Sequence, residues 1–211
     1  MTGAPILKIC GMTRAADAQH AVREGATAIG FVFWKGSPRY IEPERAGEIT
    51  AALPAAVTTV GVFVDEPVDV VREKARVAGV RVVQLHGRET PAYLAGLSQP
   101  VMRAVTLETM EETARTWPPE TTLLLDSTDP SRRGSRAAVD WSRAALATRN
   151  RRVVLAGGLT PDNIEDAIVT VRPIGVDVAS GVESAPGVKD LDKVARFLAN
   201  ARAAFARVVA L

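Results

Sequence analysis

The side chains of this 211-residue chain best suited to proton chemistry are one cysteine, two histidines and a set of carboxylates that follow apolar runs. Cys10 closes the run ILKIC and precedes Gly11, Asp126 closes LLLD directly after three leucines, His86 follows VVQL, and Asp65 and Glu66 follow TTVGVFV. Free cysteine is among the most buried residue types and usually packs as a small inert hydrophobe, so Cys10 carries weight only through its position. A thiol at the end of a strand with a glycine behind it opens onto a loop face, where it can be reactive. A carboxyl pressed against three leucines is poorly solvated, which favours its protonated form and suits a general acid. The plain structural reading of Asp126 is a carboxylate that braces the loop behind it. His86 reads equally well as a site residue or as a hydrogen-bonded structural histidine, and His20 falls inside a helical stretch. Two histidines cannot build a multi-histidine metal centre, so no metal is expected, and acid-base steps carried by side chains need no organic cofactor.

Two glycine turns stand apart from these acids and bases. LAGGLTPDNI reads as a strand, a Gly157-Gly158 turn and a helix start, and ASGVE repeats the arrangement one unit later with Ser180 and Gly181. Such turns offer free backbone N–H groups at the positive end of a helix dipole, a combination that suits a phosphate dianion. Either turn alone is common punctuation. Two on consecutive strands point to a small phosphorylated ligand.

The elements that must position these groups form a repeating series. Strand-like runs fall at 6–10, 28–33, 58–64, 82–85, 101–105, 123–126, 152–156 and 174–179. They are nearly continuous in apolar residues rather than alternating, as expected of parallel strands covered on both faces. Helix-start signals lie between them: Thr13 as an N-cap, Pro43, Pro67 and Pro91 at first-turn positions, and Pro161-Asp162. The stretch from Asp190 to Leu211 places Leu191, Val194, Phe197 and Leu198 at helical spacing and closes the last unit. Eight strand-helix units of about 26 residues each fit a small (β/α)8 barrel, an α/β fold with eight parallel strands. The competitor is an open doubly wound sheet. Its dinucleotide form needs G-x-G-x-x-G after an early strand, where this chain reads CGMTRA. No linker or composition shift marks a boundary, so residues 1–211 read as a single catalytic domain. In a barrel the chemistry gathers where the strands end, which is where Cys10, His86, Asp126 and both glycine turns fall.

Composition narrows the partners. The 26 basic and 24 acidic residues leave a net charge of +2, far from the basic footprint of a nucleic-acid binder. The clusters Arg132, Arg133, Arg136 and Arg149, Arg151, Arg152 read as solvated loops. No apolar run approaches the roughly 20 residues that span a bilayer. The amino terminus lacks the pattern of a secretory signal, and a single cysteine excludes an internal disulfide. The expectation is a cytoplasmic, soluble protein acting on a small molecule, with no nucleic-acid or membrane partner, as a monomer or homodimer.

The residues then resemble a known family. KICGMT (8–13), GFVFWKGSPRYI (30–41), VGVFVDE (60–66), VVQLHG (82–87), LLLDS (123–127), LAGGLTPDNI (155–164) and GVDVASGVE (175–183) are similar, in order and spacing, to the phosphoribosylanthranilate isomerases, tryptophan-pathway barrels that catalyse an Amadori rearrangement. The resemblance implies Cys10 as general base and Asp126 as general acid. It implies Arg39 as the arginine that meets the anthranilate carboxylate, His86 and Asp177 around the substrate, and Gly157, Gly158, Ser180 and Gly181 on the phosphate. A thiol acts as a base only as thiolate, so its surroundings are expected to lower its pKa. Lys8 shares the strand face of Cys10 by parity, and either assists it or pairs with an interior carboxylate such as Asp177.

One stretch departs from the family. Where a glycine-rich GGTG loop precedes an FDW-like segment, this chain reads RRGSRAAVDW (132–141), in which Gly134 and Ser135 persist. Fewer glycines stiffen the loop, and its arginines could approach the phosphate or the carboxylate. Two alternatives stay open: another phosphosugar barrel, such as indole-glycerol-phosphate synthase or a pentose-phosphate epimerase, and a catalytically silent barrel that binds a phosphorylated ligand.

Overall fold

The computed structural model describes residues 4–126, 140–148 and 150–209. Eight parallel strands close on themselves in sequence order: β1 (Ile6–Ile9), β2 (Ala28–Val32), β3 (Thr58–Phe63), β4 (Val82–Leu85), β5 (Val101–Val105), β6 (Thr122–Leu125), β7 (Val153–Leu155) and β8 (Gly175–Val178). Closure is made by β1 lying between its two neighbours, with Lys8 opposite Ala28 on one side and Asp177 on the other. The expected (β/α)8 barrel is therefore present, and each strand matches its expected run to within a residue or two at either end.

Helices α1 (Ala15–Arg23), α2 (Pro43–Ala51), α3 (Val68–Ala78), α4 (Met110–Thr116), α5 (Trp141–Ala147), α6 (Ile164–Val171) and α7 (Leu191–Val209) alternate with the strands. A short 3-10 helix, Pro91–Gly96, takes the helical position after β4. The apolar stripe of α7 buries Val194, Phe197, Leu198, Ala201 and Ala204 completely, whereas Leu191, at the first turn, stays exposed. Between β8 and α7 the chain makes a small antiparallel pair, β9 (Glu183–Ala185) and β10 (Val188–Lys189).

Two cores result. The larger lies between strands and helices and includes Ile9, Phe31, Phe33, Phe63, Leu123, Leu125 and Phe197. The smaller fills the barrel with Met102, Leu124, Val154 and Ala156. Strands buried on both faces need apolar residues at nearly every position, which explains the continuous runs.

Several helix starts differ from their expected form. Arg14, not Thr13, occupies the N-cap of α1, and the Thr13 hydroxyl instead donates to the carbonyl of Gly187. Pro43 does open α2, while Pro67 sits one place before α3. The turn at Pro161 and Asp162 precedes α6, which begins at Ile164. There the Asn163 side chain accepts from the Thr160 N–H at 2.8 Å and so closes the turn. Gly134, Ser135, Arg132, Arg133 and Arg136 lie outside the described residues, as do Ser127 and Arg149.

Candidate active site

Each candidate at a strand end is fixed by one further bond of the barrel ladder. The N–H of Cys10 donates to Val178 at 2.8 Å, that of His86 to Phe63 at 2.9 Å, and that of Asp126 to Val105 at 2.9 Å. The strands thus carry these side chains to one mouth of the barrel at a set height. A cavity of about 340 Å³ opens there, and its lining holds Cys10, Arg39, His86, Asp126, Gly157, Gly158, Asp177, Ser180 and Gly181 together. A larger hollow, about 740 Å³, opens at the opposite mouth, lined mainly by apolar and threonine side chains. Chemistry rather than size selects the smaller cavity.

Beneath Cys10 lies an ion pair. Lys8 has no exposed surface, and its Nζ sits 2.8 Å from Oδ2 of Asp177, in register on the next strand. Burial would strip the lysine of its proton, but the Asp177 carboxylate holds it in the charged form. Lys8 therefore pairs with the interior carboxylate while also standing close to the thiol. A side chain at Gly30 would meet Cys10 Sγ at 2.8 Å and Lys8 Nζ at 3.1 Å, so both atoms crowd the same point. The other oxygen of Asp177 is buried with no hydrogen-bond partner among the described residues.

The Cys10 thiol departs from expectation. Burial pushes its pKa up, and the charge and hydrogen bond of Lys8 pull it back only in part. Desolvation dominates because the thiolate would be formed in the dry upper layer of the barrel.

His86 and Asp126 face one another, with Nε2 and Oδ2 3.7 Å apart. Burial lowers the His86 pKa despite the nearby Asp126 carboxyl, so the ring is neutral. Gln84, buried one layer deeper, contacts Nδ1 at 3.2 Å. Its amide donates there as placed, which leaves the ring proton on Nε2. The loop after His86 is braced by Glu89, which accepts from the N–H groups of Asp65 and Gly87 at 2.9 Å each and pairs with Arg103 at 2.7 Å. Asp65 and Glu66 do not line the cavity. Asp65 accepts from Arg88, and Glu66 pairs with Lys74.

The glycine turns behave as a joined pair. Gly157 and Gly158 have φ of 80° and 70°, consecutive left-handed residues that only glycine adopts cheaply. A Cβ on Gly181 would fall 1.8 Å from the Leu159 carbonyl oxygen, so the β7 and β8 turns touch.

A family model described as N-(5'-phosphoribosyl)anthranilate (PRA) isomerase matches residues 7–200. The chain belongs to the PRA isomerase family. The PRA isomerase of Trichlorobacter lovleyi is 48% identical over 203 residues, covering 94% of this chain and 98% of that protein. Among solved structures, the PRA isomerase of Thermotoga maritima superposes with a TM-score of 0.87 at 41% identity, over 93% of this chain and 98% of that one. A PRA isomerase in complex with reduced 1-(o-carboxyphenylamino)-1-deoxyribulose 5-phosphate superposes with a TM-score of 0.83 at 39% identity, again over 93% and 98%. No helix among the described residues is long and apolar enough to cross a membrane.

The site also contains residues the sequence reading passed over. Trp34, Ser37 and Gln84 line the cavity of this PRA isomerase family member. Glu183 and Lys189 grip Arg39 or its partner from the β9–β10 pair. Glu183 ends the ASGVE block and so lay in view. Lys189 gave no signal of its own, because what matters is that its partner Glu183, across the hairpin, in turn holds Arg39.

Proposed function

We propose that this chain is an enzyme that isomerises N-(5'-phosphoribosyl)anthranilate to 1-(2-carboxyphenylamino)-1-deoxyribulose 5-phosphate in tryptophan biosynthesis. The reaction is an aldose-to-ketose Amadori rearrangement, an intramolecular oxidoreduction, carried by one catalytic domain. The observation that carries this reading is the convergence of the thiol, the carboxyl, the arginine and the two glycine turns on one cavity of about 340 Å³. That volume lies within the range of roughly 300–1,000 Å³ of small-molecule sites.

In the proposed sequence Asp126, protonated, gives its proton to the ribose ring oxygen. The C1′–O bond breaks and the anthranilate nitrogen becomes an iminium. Cys10, as thiolate, then takes the proton from C2′, and the electron pair flows to the nitrogen to give an enolamine. A proton added at C1′ while the C2′ hydroxyl gives up its own converts the enolamine to the ketone. The free thiol is held protonated by burial, so the base is generated by loss of the thiol proton to solvent through the open cavity. The iminium adds a positive charge beside that of Lys8, and both favour the thiolate at the moment it is needed. Arg39 takes the anthranilate carboxylate with a planar, permanently charged fork. The touching turns of β7 and β8 take the phosphate through backbone N–H groups, the position customary for this fold. Neutral His86 lies against Asp126 and orients its carboxyl, while Asp177 keeps Lys8 in place.

The test is to supply phosphoribosylanthranilate and follow the loss of anthranilate-type fluorescence, with Cys10→Ala and Asp126→Asn beside the unaltered enzyme. Each substitution is expected to lower kcat by about 10² or more, the usual contribution of a positioned acid or base. Equal activity in all three proteins would overturn the assigned pair. Inactivity of the unaltered protein, with phosphate-ligand binding intact, would make it a silent barrel.

A further inference from the structure

The cavity wall that carries Arg39 is built from the segment beyond the last barrel strand. Nε and Nη2 of Arg39 donate to the two oxygens of Glu183 at 2.8 and 2.7 Å, a two-pronged pair. The same Oε1 accepts from Nζ of Lys189 at 3.0 Å and from the N–H of Gly187 at 3.3 Å. Lys189 also donates to the Ala179 carbonyl at 3.2 Å, and its own N–H donates to Asp17 of α1 at 3.0 Å. Glu183 and Lys189 are almost wholly buried, with side-chain exposures of 5% and 0%, whereas Arg39 keeps 23%. The hairpin is thus clamped to α1, and its acid takes one side of the guanidinium of Arg39, a residue that lines the cavity.

Two features of this knot bear on what the cavity takes. A guanidinium has five N–H donors in one plane, and Glu183 uses the Nε–Nη2 side, which leaves Nη1 and the outer N–H of Nη2 as a second fork. The orientation of that fork is set by Glu183 and not by the flexible arginine stem. At the charged ends that meet here, those of Arg39, Lys189 and Glu183, one positive charge is left over; the Asp17 carboxylate bonds the backbone N–H of Lys189 and not its ammonium. A single ligand carboxylate placed on the second fork balances it. Without Glu183 two cations would face each other and the fork would swing; without Lys189 the Arg39–Glu183 pair would be neutral overall and would attract an anion weakly.

We propose that Glu183 and Lys189 are positioning residues that turn Arg39 into a carboxylate-selective fork, Glu183 fixing its plane and Lys189 supplying its net charge. The inference rests on the reading of Arg39 as the partner of the anthranilate carboxylate. It implies that discrimination for an ortho-carboxylate on the aromatic amine is set by residues that need not touch the substrate.

The experiment compares phosphoribosylanthranilate with N-(5'-phosphoribosyl)aniline, which lacks the carboxylate, on the unaltered enzyme, Glu183→Gln and Lys189→Met. Product is quantified by chromatography, and folding is checked by circular dichroism and thermal melting. Glu183→Gln is expected to raise KM for the anthranilate substrate about tenfold, the order of a lost charge-assisted hydrogen bond, with kcat changed far less. On the aniline substrate the variant should match the unaltered enzyme. Lys189→Met, the second route if Glu183→Gln does not fold, should likewise reduce the preference between substrates, and should flatten the dependence of KM on salt. A loss equal on both substrates would make Glu183 merely structural and overturn the proposal. If the unaltered enzyme itself shows no preference for the carboxylate, the reading of Arg39 fails. If it does and both variants keep that preference, only the roles of Glu183 and Lys189 fail.

Discussion

Lys8 Nζ and Asp177 Oδ2 lie 2.8 Å apart at the centre of the barrel, between the cavity that holds Cys10 and the hollow at the opposite mouth. A charge with no exposed surface is tolerated only because its partner is in register on the neighbouring strand. Lys8→Met removes one member and strands a buried carboxylate. The expected loss is roughly 3–5 kcal/mol of unfolding free energy, read from urea titrations. Adding Asp177→Asn removes the stranded charge, so the double variant should be more stable than Lys8→Met alone. A double variant no more stable than the single one would mean that the pair is not what is being lost.

Gly30 is the point at which the thiol and the ammonium crowd together. A methyl there would fall 2.8 Å from Cys10 Sγ, nearer than real side-chain carbons come, and 3.1 Å from Lys8 Nζ, tighter than most of their contacts. The thiol, at the end of its strand, yields more easily than the barrel wall. Gly30→Ala is therefore expected to cost about 10² in kcat, the scale of a displacement near 1 Å at a reacting group. Substrate affinity should change little, because the nearest neighbours of a methyl at Gly30 are Cys10 and Lys8 and not the glycine turns that are proposed to bind phosphate. A variant with normal kcat would show that the thiol need not hold this position.

The barrel was legible because parallel strands covered on both faces must be apolar at nearly every position, and ILKI, TTVGVF and TLLL are so apart from Lys8 and the threonines at strand starts. Helix starts were less legible. Thr13 has the right chemistry for a cap, yet its hydroxyl goes to Gly187, about 170 residues away in sequence, and no local pattern encodes that choice. Cys10, Asp126 and Arg39 were found by strand-end position and by family resemblance, and all line one cavity. The environment of the thiol was not legible. Sequence parity placed Lys8 beside it, but the balance between burial and that one charge depends on how completely the layer excludes water. The roles of Glu183 and Lys189 escaped for a related reason: Glu183 matters through Arg39, which comes from a different loop, and Lys189 matters through Glu183.

The loop that carries His86 depends on one buried acid. Glu89 receives two backbone N–H groups and the Arg103 guanidinium, which lies 5.2 Å from the Trp117 ring centre and also donates to the Gly87 carbonyl at 2.8 Å. Glu89→Ala leaves a part-buried arginine and two amides without that acceptor. Breaking such a pair by removing one partner costs about 3–5 kcal/mol. Glu89→Gln keeps an acceptor and should cost less than half as much. Guanidinium denaturation of the two variants checks the ranking; an alanine variant within about 1 kcal/mol of the unaltered protein would show the knot to be incidental.

The ionisation of Cys10 gives the sharpest pH test. Burial favours the neutral thiol in the folded enzyme, so its pKa there lies above that of an exposed cysteine. The sign follows directly: at neutral pH the free enzyme holds less thiolate than an exposed thiol would, and alkylation by iodoacetamide should be slow and should rise only at alkaline pH. Linkage runs the same way. A folded pKa above the unfolded one contributes stability that is fully present below the unfolded value and is lost as pH rises through the folded value. Lys8 opposes the shift, so Lys8→Met should move the alkylation midpoint higher still, in protein that retains native circular dichroism. Since Cys10 is the single cysteine, the modified fraction can be read by mass without ambiguity. A midpoint below that of a free thiol would mean that the resting enzyme already stores the base as thiolate. The iminium charge would then be unnecessary for creating it.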